Sequence, residues 1–175
     1  MNARIAGTLF VIADAAGVGG ALLLRERDST VTGQLLILTM ALAVAMIPAA
    51  LYPVLKEQNE ALALGYAILR TIEAVLLTVS PDDDRWAGPA SQIVWSLSVM
   101  VLYSSLYKSR AVPRFITVWG LVGAPLYLAS QLLVLYRVPS VADPITAQFA
   151  LNELVFALWL LLKGFRRASS RGAEA

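Results

Sequence analysis

Six apolar stretches, each close to the ~20 residues a helix needs to cross the hydrocarbon core of a bilayer, follow one another along this chain with only short polar connections between them. They run Ile5–Leu24, Leu35–Leu55, Ala61–Val79, Ala90–Tyr107, Phe115–Tyr136 and Ile145–Lys163. Lipid offers no water to an unpaired backbone amide or carbonyl, so a spanning segment must satisfy itself, and stretches of this length do so as helices. The expected fold is all-α: a polytopic membrane bundle of six transmembrane helices. A single domain is expected over residues 1–165, followed by a short basic cytoplasmic tail over 166–175.

Composition points the same way. Hydrophobic residues make up 58% of the chain and charged residues 15%, against about 25% charged in a typical soluble domain. A fold of 175 residues keeps too much surface to hide that apolar excess from water. The expected principal partner is the lipid bilayer. The first stretch follows Arg4 in the manner of a signal peptide, but its length and the central Asp14 favour a retained first span.

The connections carry the charges. Arg25–Thr30, Lys56–Glu60, Pro81–Arg85, Lys108–Arg114 and Val138–Pro144 are turn-like and polar, and Pro144 is suited to open the last helix. With six spans, Arg4, Lys56, Lys108, Arg110, Arg114, Lys163, Arg166, Arg167 and Arg171 fall on one side. Arg25, Arg27, Arg85 and Arg137 fall on the other. The positive-inside rule then places both termini in the cytoplasm. The run Asp82-Asp83-Asp84 reads as a solvated outer turn, since consecutive carboxylates do not reproduce the alternating ligand positions of a calcium loop.

Four residues break the apolar rule. Asp14 lies near the middle of the first span, Arg70 near the middle of the third with Glu73 one turn beyond it, and Glu153 two turns inside the sixth. A charge at the bilayer centre costs at least about 2.5 kcal/mol on insertion scales, so such residues are expected to face protein or water. Arg70 and Glu73 share a helix face. Counting depth at about 1.5 Å per residue puts Asp14 level with Arg70 and Glu73 roughly level with Glu153. Together they form a candidate buried polar cluster between helices one, three and six. Three carboxyl groups against one guanidinium favour a protonated carboxyl or a bound cation. The bland account is equally physical: the same groups act as interhelical glue. Gln92, Ser96, Gln131 and Asn152 are candidates for a secondary polar lining.

Other features speak for packing. Ala13 with Gly17, Ala16 with Gly20, and Ala61 with Gly65 form small-xxx-small pairs, and Gly120 with Gly123 and Ala124 extends the pattern to the fifth helix. Pro48 is expected to kink the second helix and Pro125 to kink or break the fifth. Trp86, Tyr107, Tyr136 and Phe165 sit where interfacial aromatics belong, whereas Trp95, Trp119 and Trp159 are deeper.

The chain contains no histidine and no cysteine, which removes imidazole bases, thiolate nucleophiles and sulfur metal sites. No phosphate-binding loop or dinucleotide fingerprint occurs, and no basic tract points to nucleic acid. No catalytic residues, cofactor or metal are expected. The function classes left are a membrane protein of unassigned activity with a buried polar cluster, a small transporter, permease or proton-coupled factor handling a small solute, proton or cation, a membrane-embedded hydrolase, for which a Ser–Lys arrangement stays open although Lys56, Lys108 and Lys163 are peripheral, and a structural or regulatory subunit of a membrane complex.

Ordered fragments resemble a known family. Arg4-Ile5-Ala6-Gly7 at the start, Arg70-Thr71-Ile72-Glu73, Ser109-Arg110-Ala111-Val112-Pro113-Arg114 leading to Gly120 and Gly123, and Glu153 followed by Ala157–Gly164 are similar to the bacterial multi-pass membrane family called domain of unknown function number 4386. The resemblance implies a compact multi-helix membrane protein with Arg70, Glu73 and Glu153 at recurring polar positions. It implies no activity. The outer connection between the third and fourth spans is short for that family, and the histidine expected near the start of the fourth is missing.

Overall fold

The computed structural model describes residues 2–25, 30–79, 86–138 and 142–165. Six helices account for nearly all of these: α1 (Asn2–Leu24), α2 (Thr30–Lys56), α3 (Glu60–Val79), α4 (Ala87–Ser109), α5 (Arg114–Leu135) and α6 (Ala142–Leu162). The aspartates at 82–84 and the tail over 166–175 lie outside the described residues.

Each helix packs against its sequence neighbours, and α6 closes the circle against α1. The result is an up-and-down ring. Among the described residues, the backbone of α3 does not come close to that of α1 or of α6.

Local chemistry sets the turns. Asn59 ends the α2–α3 connection, where its Oδ1 accepts from the Leu62 amide at 3.0 Å and so caps α3. Arg110 takes a left-handed conformation (φ 55°) at the end of α4, and Pro113 stands at the N-cap of α5. α6 begins at Ala142, so Pro144 falls within its first turn instead of opening it. α2 runs through Pro48 and Pro53 as one helix. α5 likewise runs unbroken through Pro125.

Five helices, α1, α2, α3, α5 and α6, are long and apolar enough to cross a membrane. α4 is 23 residues long but is not among them, which departs from the expectation of six equivalent apolar spans. The difference is its serines. Ser91, Ser96, Ser98, Ser104, Ser105 and Ser109 dilute its apolar character, yet every one of these hydroxyls donates to a carbonyl in the preceding turn of α4 itself, at 2.7 to 3.2 Å. α4 is therefore polar by composition and largely self-satisfied in hydrogen bonding.

Glycines mark where helices meet most closely. A Cβ on Gly7 would stand 2.8 Å from the Ala157 carbonyl oxygen, so α1 and α6 touch backbone to backbone there. Gly20 abuts Ile37 and the Gly33 carbonyl of α2, and Gly123 abuts Phe149 of α6. Gly120 receives the ring of Tyr103, whose edge occupies the space a Cβ would need. Gly65 behaves differently: nothing lies within 4 Å of its Cβ position and Ala61 is exposed, so that small pair joins no helices among the described residues.

The ring is filled unevenly. Ala6, Leu51, Leu55, Leu106, Ile116 and Leu160 are all 2% exposed or less, and they come from the helix ends that gather at the side carrying the chain termini. Phe10 meets Phe156 edge-on at 5.4 Å, and Phe156 meets Tyr103 at 5.6 Å. Beyond this aromatic layer the packing gives way to a cavity.

Candidate functional site

A cavity of about 520 Å³ occupies the other half of the ring and draws its walls from all six helices. Volumes of this size, about 300–1,000 Å³, are typical of small-molecule sites. Asp14 of α1, Arg70 and Glu73 of α3, and Glu153 of α6 all line it. Since the backbone of α3 comes close to neither α1 nor α6, these side chains face one another across the cavity.

The antiparallel register of α1 on α6 sets their depth. Gly7 lies against Ala157, Leu160 and Leu161, and Phe10 lies against Phe156. One further turn along this register brings Asp14 level with Glu153. The depth count from sequence aligned Asp14 with Arg70 and Glu73 with Glu153; here Asp14, Glu73 and Glu153 are all within electrostatic reach of the Arg70 guanidinium.

Arg70 and Glu73 are both buried, at 2% and 4% exposure. Their spacing of three residues lets the side chains meet over one turn. Nη1 of Arg70 is 3.4 Å from Oε1 of Glu73 in hydrogen-bonding geometry and 3.0 Å from Oε2. The nearer oxygen lies off the donor axis and accepts no hydrogen bond, and Nε of Arg70 also finds no acceptor. Asp14 and Glu153 have no ion-pair partner within 4.0 Å among the described residues. With every group ionised the pair on α3 is neutral and the cavity retains two negative charges.

Helices α4 and α5 supply a polar-aromatic wall, of which the sequence pointed to Gln92 but not to Trp95 or Tyr127. The Trp95 indole stands beside Glu153 in the cavity wall. The Tyr127 hydroxyl donates to Oε1 of Gln92 at 2.9 Å and is itself hydrogen-bonded by Thr146. Trp95 packs edge-on against Tyr127 at 5.1 Å and against Phe149 at 4.8 Å, and Tyr127 stacks on Phe149. Gln92 and Trp95 are three apart and share a helix face, a spacing that marks them in the sequence once Gln92 is considered. Tyr127 carries no comparable signal.

The secondary polar residues divide. Gln92 lines the cavity. Ser96, Gln131 and Asn152 are buried but stand outside its lining. Ser96 turns its hydroxyl onto the Gln92 carbonyl. Asn152 precedes Glu153 and therefore points elsewhere; its Nδ2 donates to the Ile116 carbonyl of α5 at 3.1 Å. Among the described residues no three acidic side chains converge closely enough to hold a metal ion.

The profile of the family described as Domain of unknown function (DUF4386) matches residues 5–81 and 84–164. The chain belongs to the DUF4386 family. No curated protein and no solved structure matches it. The match takes in every helix of this DUF4386 protein and all four charged cavity residues, including both the Arg70–Glu73 turn and Glu153. The family itself is of unknown function, so membership assigns the cavity no reaction.

Proposed function

We infer that the protein is a six-span bundle of the cytoplasmic membrane, with both termini inside, whose central cavity binds a small positively charged solute and passes it across the bilayer. The observation that carries this reading is the convergence of Asp14, Glu73 and Glu153 on one cavity that holds a single guanidinium, already faced by Glu73. Carboxylates withdrawn from water without basic partners are stabilised by a cation or a proton, and either one is a transportable charge.

Support for the sixth span comes from α4. It matches its neighbours in length, packs between α3 and α5, and binds its serine hydroxyls internally. An even number of spans agrees with the excess of Lys and Arg on the side of the termini. In that orientation the packed floor of Leu51, Leu55, Leu106 and Leu160 faces the cytoplasm, and the cavity belongs to an outward-open state.

The competing reading is a packing or assembly subunit, favoured by the contact that Arg70 and Glu73 make with each other. Charge displacement on a solid-supported membrane separates the two. Purified protein in liposomes is challenged with sodium, potassium, methylammonium and an acid step. A solute-binding cavity gives transient currents that Asp14→Asn and Glu153→Gln reduce while assembly and abundance are preserved. A wild-type protein that is silent to the whole panel and binds no organic cation either is a packing subunit, and the transport reading falls.

A further inference from the structure

The cavity opens sideways. On α6 the lining residues Ala147, Ala150, Leu151 and Leu154 recur at intervals of three and four and so form one stripe. All four are also exposed. Across the gap, α1 contributes Gly17 and Val18, and Val18 is 64% exposed. An opening confined to the end of the ring would expose only the first turn of α6. This one reaches Leu154, about 18 Å into the helix at 1.5 Å per residue. Below it α1 and α6 are clamped together at Gly7 and Phe10. The two helices thus part like a cleft, shut toward the termini and open over the middle of the bundle.

The cleft is apolar at its rim and acidic at its base. Val18, Leu151 and Leu154 stand at the surface, while Asp14 and Glu153 lie deeper, with Trp95 behind Glu153. Small ions have no path through such a rim when it faces hydrocarbon. A ligand that is itself soluble in lipid does, and the ring faces of Trp95 and Tyr127 offer it a cation–π surface beside the carboxylates.

We propose that the α1–α6 cleft is a lateral portal through which a lipophilic organic cation, an amine or a quaternary onium ion with apolar substituents, passes from the membrane to Asp14 and Glu153. This rests on the reading of the cavity as a cation site and names its substrate class. Tetraphenylphosphonium and tetraphenylborate make the test, being alike in size and shape and opposite in charge. Binding of each is measured in lipid nanodiscs holding the full chain, with empty nanodiscs subtracted.

The expected result is saturable binding of tetraphenylphosphonium, absence of competition by tetraphenylborate, and at least about a tenfold loss of affinity in the folded variant Asp14→Asn/Glu153→Gln. Ala150→Trp, which crowds the cleft, is expected to slow association of the phosphonium. Equal binding of the two probes, or affinity unchanged by the double substitution, overturns the proposal and leaves an apolar slot for acyl chains. Charge-displacement currents with methylammonium or sodium but no phosphonium binding overturn the portal while the cation-site reading stands. Silence in both experiments removes both. If the double variant does not assemble, Ala150→Trp and the oppositely charged probe still decide the outcome.

Discussion

Nη1 of Arg70 stands 3.0 Å from Oε2 of Glu73 on the buried face of α3. Removing either partner leaves the other charge on α3 unpaired in a low-dielectric interior, whereas removing both leaves no charge on that face of α3. Arg70→Met is therefore expected to lower unfolding stability by about 3 kcal/mol, and Arg70→Met/Glu73→Leu by clearly less. Steric-trapping measurements in bicelles check this. A double variant as unstable as the two single effects added together would show that the pair does not interact energetically.

Two glycines separate close approach from helix propensity. At Gly7 a methyl group would stand 2.8 Å from a backbone oxygen of α6, so Gly7→Ala forces the helices apart and is expected to destabilise by about 1–3 kcal/mol. At Gly65 nothing lies within 4 Å, so Gly65→Ala is expected to be neutral or to stabilise by up to about 1 kcal/mol. Melting temperatures of the two purified variants test the contrast, and a loss at Gly65 equal to that at Gly7 would contradict it.

Asn152 ties α6 to α5 through the Ile116 carbonyl at 3.1 Å. Its replacement by leucine removes an interhelical hydrogen bond, worth on average about 0.6 kcal/mol and up to about 1.7 kcal/mol in membrane bundles. The expected effect is a modest loss of stability with cation-induced currents retained, because Asn152 lies outside the cavity. Abolished currents in a fully folded Asn152→Leu protein would place the residue in the solute path.

Topology is testable at α4. Alkaline phosphatase fused after Val79 is expected to be active, and fused after Ser109 inactive, with green fluorescent protein at the C-terminus fluorescent. Phosphatase activity at both junctions would mean that α4 does not cross, and the even span count would fail.

Much of the architecture was legible from local pattern. The apolar stretches located every helix to within a few residues, because the length a helix needs to cross lipid is a one-dimensional property. α4 was legible as a helix but not as a distinct kind of helix: composition counts its serines as polar, and only their bonds to the preceding turn reveal that the hydroxyls are satisfied. Of the kink or break that the proline at 125 suggested, α5 makes no break. Gly65 read as a packing glycine because spacing cannot say whether another helix lies opposite.

The sequence by itself determined that Asp14, Arg70, Glu73 and Glu153 need an environment other than lipid, since desolvating a charge is unfavourable wherever the helices end up. It also determined that Arg70 and Glu73 meet, through the pitch of one helix. Only the tertiary structure decided that all four face one cavity, that Trp95, Gln92 and Tyr127 complete its wall, and that α1 and α6 part beside it. Those facts depend on how each helix is rotated about its axis and where neighbours touch. Rotation is fixed by contacts between residues far apart in the chain, here Gly7 with Ala157 and Gly120 with Tyr103, which no local spacing encodes.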